Sequence, residues 1–254
     1  MKWIIFAGLL GFSGFIHSQT LESFSKESSA ESPVFMELYT SQGCNSCPPA
    51  ETWISSFVDN KQLWQRYFPI AFHVTYWNYL GWKDPFSQRQ FSKRQYKHLN
   101  ALNIRQVYTP EFVVNGHEWR GWFERNVKQI TELPSKDVGK LKVEISRSNL
   151  KAQFKPSDKN GLNSQDYKLY VSLIGSGYHT PITRGENRNK TLQQDFVALT
   201  LSGFNLNNNF SVSEALPAIP KSSKQAPKLA WVVWVEYKGK AIQAVGDWLS
   251  TPYL

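Results

Sequence analysis

The only two cysteines in the chain, Cys44 and Cys47, stand three residues apart. They lie between a short apolar run, Val34-Phe35-Met36-Glu37-Leu38-Tyr39, and a helix-forming run from Pro48 to Phe57. Residues at i and i+3 on a first helical turn face the same side with Cα atoms about 5–6 Å apart, within reach of a disulfide. The free amides and positive end of a helix favour a thiolate there, so Cys44 is expected to titrate below the ordinary value of about 8.5. Pro48 and Pro49 stiffen the turn at positions where helix amides lack partners anyway. Two cysteines are too few for a four-cysteine zinc module or a miniprotein held by several disulfides. A Cys-x-x-Cys pair on a strand-to-helix turn within a βαβ pattern reads as a redox motif.

The pattern around the pair supports that placement. A second strand is expected over 69–77, a polar and basic helix over about 86–102, and a third strand at Glu111-Phe112-Val113-Val114. Asn115-Gly116 then signals a tight hairpin into His117 to Trp122, and a helix follows over 123–133. After Asp137 the apolar residues alternate with a period of two, as in Leu141, Val143 and Ile145, and again in Leu169, Val171 and Leu173. The expected fold is therefore an α/β domain over 33–136, a central mixed sheet with flanking helices, followed by an all-β, mostly antiparallel, sandwich-like domain over 137–254.

Met1-Lys2 precedes an almost uninterrupted apolar run from Trp3 to Ile16. It is shorter than the roughly 20 residues a membrane-spanning helix needs and has the single leading charge of an export signal. Residues 1–18 are read as a signal peptide and 19–32 as a flexible lead-in. A periplasmic or secreted protein with no transmembrane anchor after cleavage is expected, in a compartment where disulfides persist. The net charge of +9 is a weaker clue. Lys83, Arg89, Lys93, Arg94, Lys97 and Arg105 have the spacing of a solvated helix face, and an exported chain seldom meets nucleic acid, so no nucleic-acid partner is expected.

The order of cysteine pair, Thr109-Pro110, strand, Asn-Gly hairpin, strand and helix resembles the thioredoxin fold over residues 33–133. That resemblance implies a cis Pro110 facing the cysteines and a backbone edge at Thr109 for a substrate strand, with Tyr108 and Trp77 beside it. The segment Glu37-Leu38-Tyr39-Thr40-Ser41-Gln42-Gly43-Cys44-Asn45-Ser46-Cys47-Pro48-Pro49-Ala50 resembles the signature of the bacterial secreted domain-of-unknown-function 1223 family (DUF1223). So do Phe72-His73-Val74 with Tyr76-Trp77, Tyr79 to Phe86, Val107-Tyr108-Thr109-Pro110, and Arg184-Gly185-Glu186-Asn187 with Thr191-Leu192. Membership implies the fold and export but leaves the reaction open.

The leading functional expectation is an exported thiol-disulfide oxidoreductase of unspecified direction. Cys44 attacks and Cys47 resolves, with no cofactor beyond their disulfide. Its partner would be a disulfide-containing or dithiol client protein, or a small thiol. Glu37, a carboxylate in the apolar strand, would have a raised pKa if buried and could relay a proton to Cys47. Two alternatives stay open: a copper-binding protein using Cys44, Cys47 and His73, and a binding module in which the disulfide is only structural.

Overall fold

The computed structural model describes residues 23–250 apart from 125, 127, 147 and 159–161; the expected signal segment lies outside the described residues. The first half contains β1 (Phe24–Glu27), β2 (Val34–Thr40), α1 (Pro48–Ser55), β3 (Tyr67–His73), α2 (Arg89–Asn100), β4 (Glu111–Val114), β5 (His117–Trp119) and α3 (Lys128–Thr131). The second half continues with β6 (Gly139–Ser146), β7 (Asn149–Pro156), β8 (Tyr167–Ser176), β9 (Tyr178–Pro181) and β10 (Thr191–Gln194). It ends with β11 (Val197–Ala198), β12 (Ser202–Asn205), β13 (Ser211–Ala215), β14 (Lys228–Tyr237) and β15 (Lys240–Trp248).

Every residue of β2 is buried: it is paired along both edges, parallel to β3 and antiparallel to β4, and its side chains pack in the core with residues such as Ile54, Phe91 and Trp234. A strand covered on both faces needs no polar alternation, which is why its sequence is a continuous apolar run. Asn115 (φ 47°) and Gly116 (φ 75°) make the β4–β5 turn, the positive-φ pair that the twist of a two-residue hairpin demands.

The expected separation into an α/β domain of thioredoxin type and an independent β domain is overturned. Among the described residues strand accounts for 41% and helix for 14%, with three α-helices, so the molecule is mostly β and not the expected thioredoxin-type sheet with flanking helices. The strands of the first half do not close a sheet of their own. Val197 of β11 pairs with Ala71 of β3 and with Gly175 of β8. The resulting nine-stranded sheet runs β15-β14-β8-β11-β3-β2-β4-β5, with β12 also on β8, and crosses the expected boundary at 137.

The physical cause is that β8 and β14 bury both faces. Tyr170, Ile174, Val232 and Trp234 join the core around β2. Leu169, Val171, Leu173, Trp231 and Val233 join a second core instead. That second core lies against the four-stranded sheet β1-β6-β7-β13, in which β6 and β7 alternate buried and exposed residues. Phe24 to Glu27, expected within the flexible lead-in, pairs with β6 as an edge strand and buries Phe24.

Of the basic residues expected on a solvated helix face, Lys83, Arg89, Lys93, Lys97 and Arg105 are exposed, and Arg94 alone is drawn inside α2's buried side. Phe91, Ser92, Arg94, Gln95 and His98 are buried. Arg94 makes two bonds to the Glu37 carboxylate (2.6 and 2.7 Å) and one to Glu236 of β14 (2.6 Å). This buried ion cluster fastens α2 across both halves of the sequence.

Candidate functional site

Cys44 and Cys47 form a disulfide with Cα atoms 5.5 Å apart. The helix begins at Pro48, so Cys47 caps it and Cys44 sits on the preceding turn rather than inside the first helical turn. Cys44 N–H donates to Ser41 O (3.0 Å) and Cys47 N–H to Cys44 O (3.3 Å). Both cysteines are buried, at 1% and 0% exposure, while Asn45 and Ser46 between them are exposed. The Ser46 hydroxyl lies 3.3 Å from Cys44 Sγ; since a disulfide sulfur carries no proton, the hydroxyl is the donor and would also stabilise a thiolate there.

What covers the pair comes from the second half of the chain. Strands β9 and β10 pair only with each other, making a hairpin arm whose tip, residues 182–190, lies on the cysteine turn. The fully buried Asn187 donates its side-chain amide to Gln42 O (3.0 Å) and Cys44 O (2.9 Å), and its own carbonyl oxygen accepts from Lys190 Nζ (2.9 Å). Glu186 accepts from the backbone N–H of Asn45 at 3.3 Å. Gly185 (φ +76°) lies against the 80–82 segment, where a β-carbon would approach Leu80 O and Trp82 Cβ to 3.1 Å.

Beneath the turn is a buried polar network. Gln42 N–H donates to Asp84 Oδ2 (2.8 Å), which also accepts from His73 Nδ1 (2.7 Å). Thr40 Oγ1 donates to Glu51 (2.7 Å), and Gln194 at the base of the arm reaches the other Glu51 oxygen (3.5 Å) while accepting from Gln42 Nε2 (3.1 Å). Burial raises the Glu51 pKa, opposed by the His73 charge and the Thr40 hydrogen bond. His73 is also buried, which disfavours its charge, but Asp84 and Glu51 more than offset this and raise its pKa.

The expected site residues fall into different places. Trp77 and Thr109 join the cysteine turn: Trp77 Nε1 donates to Thr109 Oγ1 (2.7 Å), and a β-carbon on Gly43 would lie 3.3 Å from Trp77 Cβ. The Thr109–Pro110 peptide is cis. Tyr108 turns toward β5, its hydroxyl donating to Glu118 (2.9 Å) and its ring packing on Phe123.

Glu37 does not have the environment of a proton relay. Burial pushes its pKa up, but Arg94 and His98 outweigh that and hold it well below the usual carboxylate range, the reverse of the expected rise. His73 spends Nδ1 on Asp84, and its Nε2 has no partner. Among the described residues no group of three or more His, Cys, Asp or Glu is placed to hold a metal ion.

Comparison with protein families matches residues 35–236 to DUF1223, described as a protein of unknown function. The chain belongs to DUF1223. No curated protein matches it. Among solved structures, this DUF1223 chain is similar to protein AGR_C_4864 from Agrobacterium tumefaciens, with 20% identity, a TM-score of 0.55, and coverage of 90% of this chain and 99% of that one. It is also similar to HBP35 of Porphyromonas gingivalis, at 12% identity and a TM-score of 0.51, over 87% of this chain and 76% of that one. At these identities the likeness is one of fold.

Glu51 and Gln194 of this DUF1223 chain escape a reading of local pattern, because each stands among other polar residues of its helix or strand and nothing local marks it as buried. Asn187, Gln42 and Asp84 lie inside the segments that resemble the family signature. That wording was the one signal that marked them.

Proposed function

We propose that the chain is an exported thiol-disulfide oxidoreductase whose working group is the Cys44–Cys47 pair. The observation that carries this is that the chain's only cysteines are joined across two residues, at the start of a helix. A loop this short constrains the unfolded chain little, so stabilisation alone is a weak reason to keep the bond. The exported location rests on the N-terminal apolar run; no helix among the described residues is long and apolar enough to cross a membrane.

In the direction that oxidises a client dithiol, a client thiolate attacks Cys44 Sγ, the S–S bond breaks, and Cys47 leaves as a thiolate. A second client thiolate then attacks the client sulfur of the mixed disulfide, releasing Cys44. The client is oxidised by two electrons and the pair reduced. A thiolate at the buried Cys47 lacks water to stabilise it and needs a proton.

Glu51 is suited to supply it. Its backbone N–H bonds Cys47 O (3.1 Å), which sets Glu51 one helical turn beyond the capping cysteine. Its raised pKa favours the protonated carboxyl. Oxidation of a client dithiol or reduction of a client disulfide follows from the same steps run in opposite senses.

The test is a trap. A Cys47→Ser chain produced in an exporting host should accumulate mixed disulfides through Cys44, whereas Cys44→Ser should not. Equal recovery from both variants, or from neither, would refute the assignment.

A further inference from the structure

The arm tip that meets the cysteine turn is strongly basic. Arg184, Arg188 and Lys190 are exposed, and neither arginine forms an ion pair among the described residues. Lys83, also exposed, stands between Trp82 and Asp84, both of which hydrogen-bond Gln42 just before the pair. Unpaired guanidinium groups suit carboxylates, which they can bind through two parallel hydrogen bonds.

One acidic side chain intrudes. Glu186 lies between the two arginines in sequence, and its carboxylate takes the Asn45 N–H, one residue from Cys44. At 3.3 Å that contact is longer than the about 2.7–2.9 Å usual for charge-assisted bonds, and both residues are exposed. The neighbouring Asn187 contacts are shorter and buried. The grip of the arm thus has a firm buried half and a solvated half that can yield. Because Cys44 is only 1% exposed, a substrate sulfur must displace something to reach it, and the Glu186 contact is the one most readily given up.

We infer that this site selects disulfides carrying negative charge close to sulfur, with Arg184 and Arg188 as specificity residues and Glu186 holding the place a substrate carboxylate takes. This rests on the redox reading above. In the step concerned, the Cys44 thiolate of the reduced protein bonds one substrate sulfur and the other leaves as a thiolate. Cys47 then attacks Cys44, the second substrate thiolate departs, and the protein has given up two electrons.

The reduced full-length chain is mixed separately with dithiobis-nitrobenzoate (anionic), dithiodipyridine (neutral) and cystamine (cationic), and each rate is divided by that of a free dithiol. The anionic probe should show the largest ratio and cystamine the smallest, with the difference shrinking in high salt. Arg184→Glu with Arg188→Glu should slow the anionic probe about tenfold, speed cystamine, and leave the neutral probe within about twofold. Glu186→Gln should speed the anionic probe most, because it both loosens the contact over Cys44 and removes a like charge. A peptide disulfide flanked by Glu, compared with the same peptide flanked by Lys, separates acidic protein segments from small anionic disulfides as the source. Identical ratios for the three probes, or variants that shift all three equally, would overturn the charge selection. If even the neutral probe leaves the Cys44–Cys47 bond unformed, the redox reading itself fails.

Discussion

Asn187 donates its side-chain amide to the backbone oxygen of Cys44 at 2.9 Å, joining residues 143 apart in sequence. The same amide bonds Gln42 O, so a single buried side chain ties both ends of the segment preceding the disulfide to the hairpin arm. The cysteine turn is therefore completed by the second half of the chain. Under the redox function proposed above, the β-rich half takes part by holding this turn, and movement of the arm changes access to sulfur.

Replacing Asn187 by Ala leaves two buried carbonyls without their shared donor. Removing one partner of a buried hydrogen bond costs about 1–3 kcal/mol, so a lower urea midpoint is expected. Reduction of the disulfide by dithiothreitol should become severalfold faster as the arm loosens. A destabilised variant with an unchanged reduction rate would show that the arm does not guard the sulfur.

Arg94→Ala should be among the most damaging substitutions in the chain. It strands the Glu37 and Glu236 carboxylates in the interior, and breaking such a pair typically costs about 3–5 kcal/mol. Arg94→Lys should recover only part of this, since one ammonium cannot reproduce the fork that reaches both carboxylates, nor its contact with the Tyr170 and Trp234 rings. Urea unfolding of both variants measures it. A loss below about 1 kcal/mol for Ala would contradict the role given to the cluster.

Arg94 also marks where the sequence misleads. Helix faces are assigned from apolar spacing, and the buried face of α2 is mostly polar, so its arginine reads as solvated. The carboxylates that reverse this lie 57 and 142 residues away. The two-domain reading failed for a related reason. Alternation in β8 shows one apolar face, Leu169, Val171 and Leu173, yet Tyr170 and Ile174 on the other face are buried against the first half. By contrast, β2, the Asn115-Gly116 turn and the cysteine pair were legible, because each depends on contiguous residues whose conformational needs are local. Glu37 was found by its apolar surroundings, but not the Arg94 that sets its charge state.

Glu111 makes stability depend on pH. Burial is the main cause that pushes its carboxyl up to about 8, opposed by the Gln95 hydrogen bond and aided by the charge of Glu118. The folded protein therefore holds this proton more tightly than the unfolded chain. The associated stability is fully present below about pH 4.5 and is lost as pH rises toward 8. Glu111→Gln keeps the shape and removes the titration, so its urea midpoint should fall less than that of the parent between pH 5 and 9. Parallel pH profiles would place the carboxyl near its ordinary value.

Glu51 offers the sharpest check on the redox chemistry, because a structural role and a proton-donor role differ in their pH dependence. Burial raises its pKa, so the carboxyl stays protonated to higher pH than an ordinary glutamic acid, and in the proposed reaction it is the group that protonates the departing Cys47. The reduction rate, expressed per unit of attacking thiolate, should then decline as pH rises through the Glu51 titration, because the ionised form has no proton to give. Glu51→Gln removes the donor, and loss of a positioned general acid commonly costs 10²–10⁴-fold, so at low pH the variant should be slower by about that range. Its profile should be flat where the parent's falls, and the two rates should converge at high pH. A variant slower by a constant factor at every pH would assign Glu51 to holding Thr40 and Gln194 in place, and the proton would have to reach Cys47 by another path.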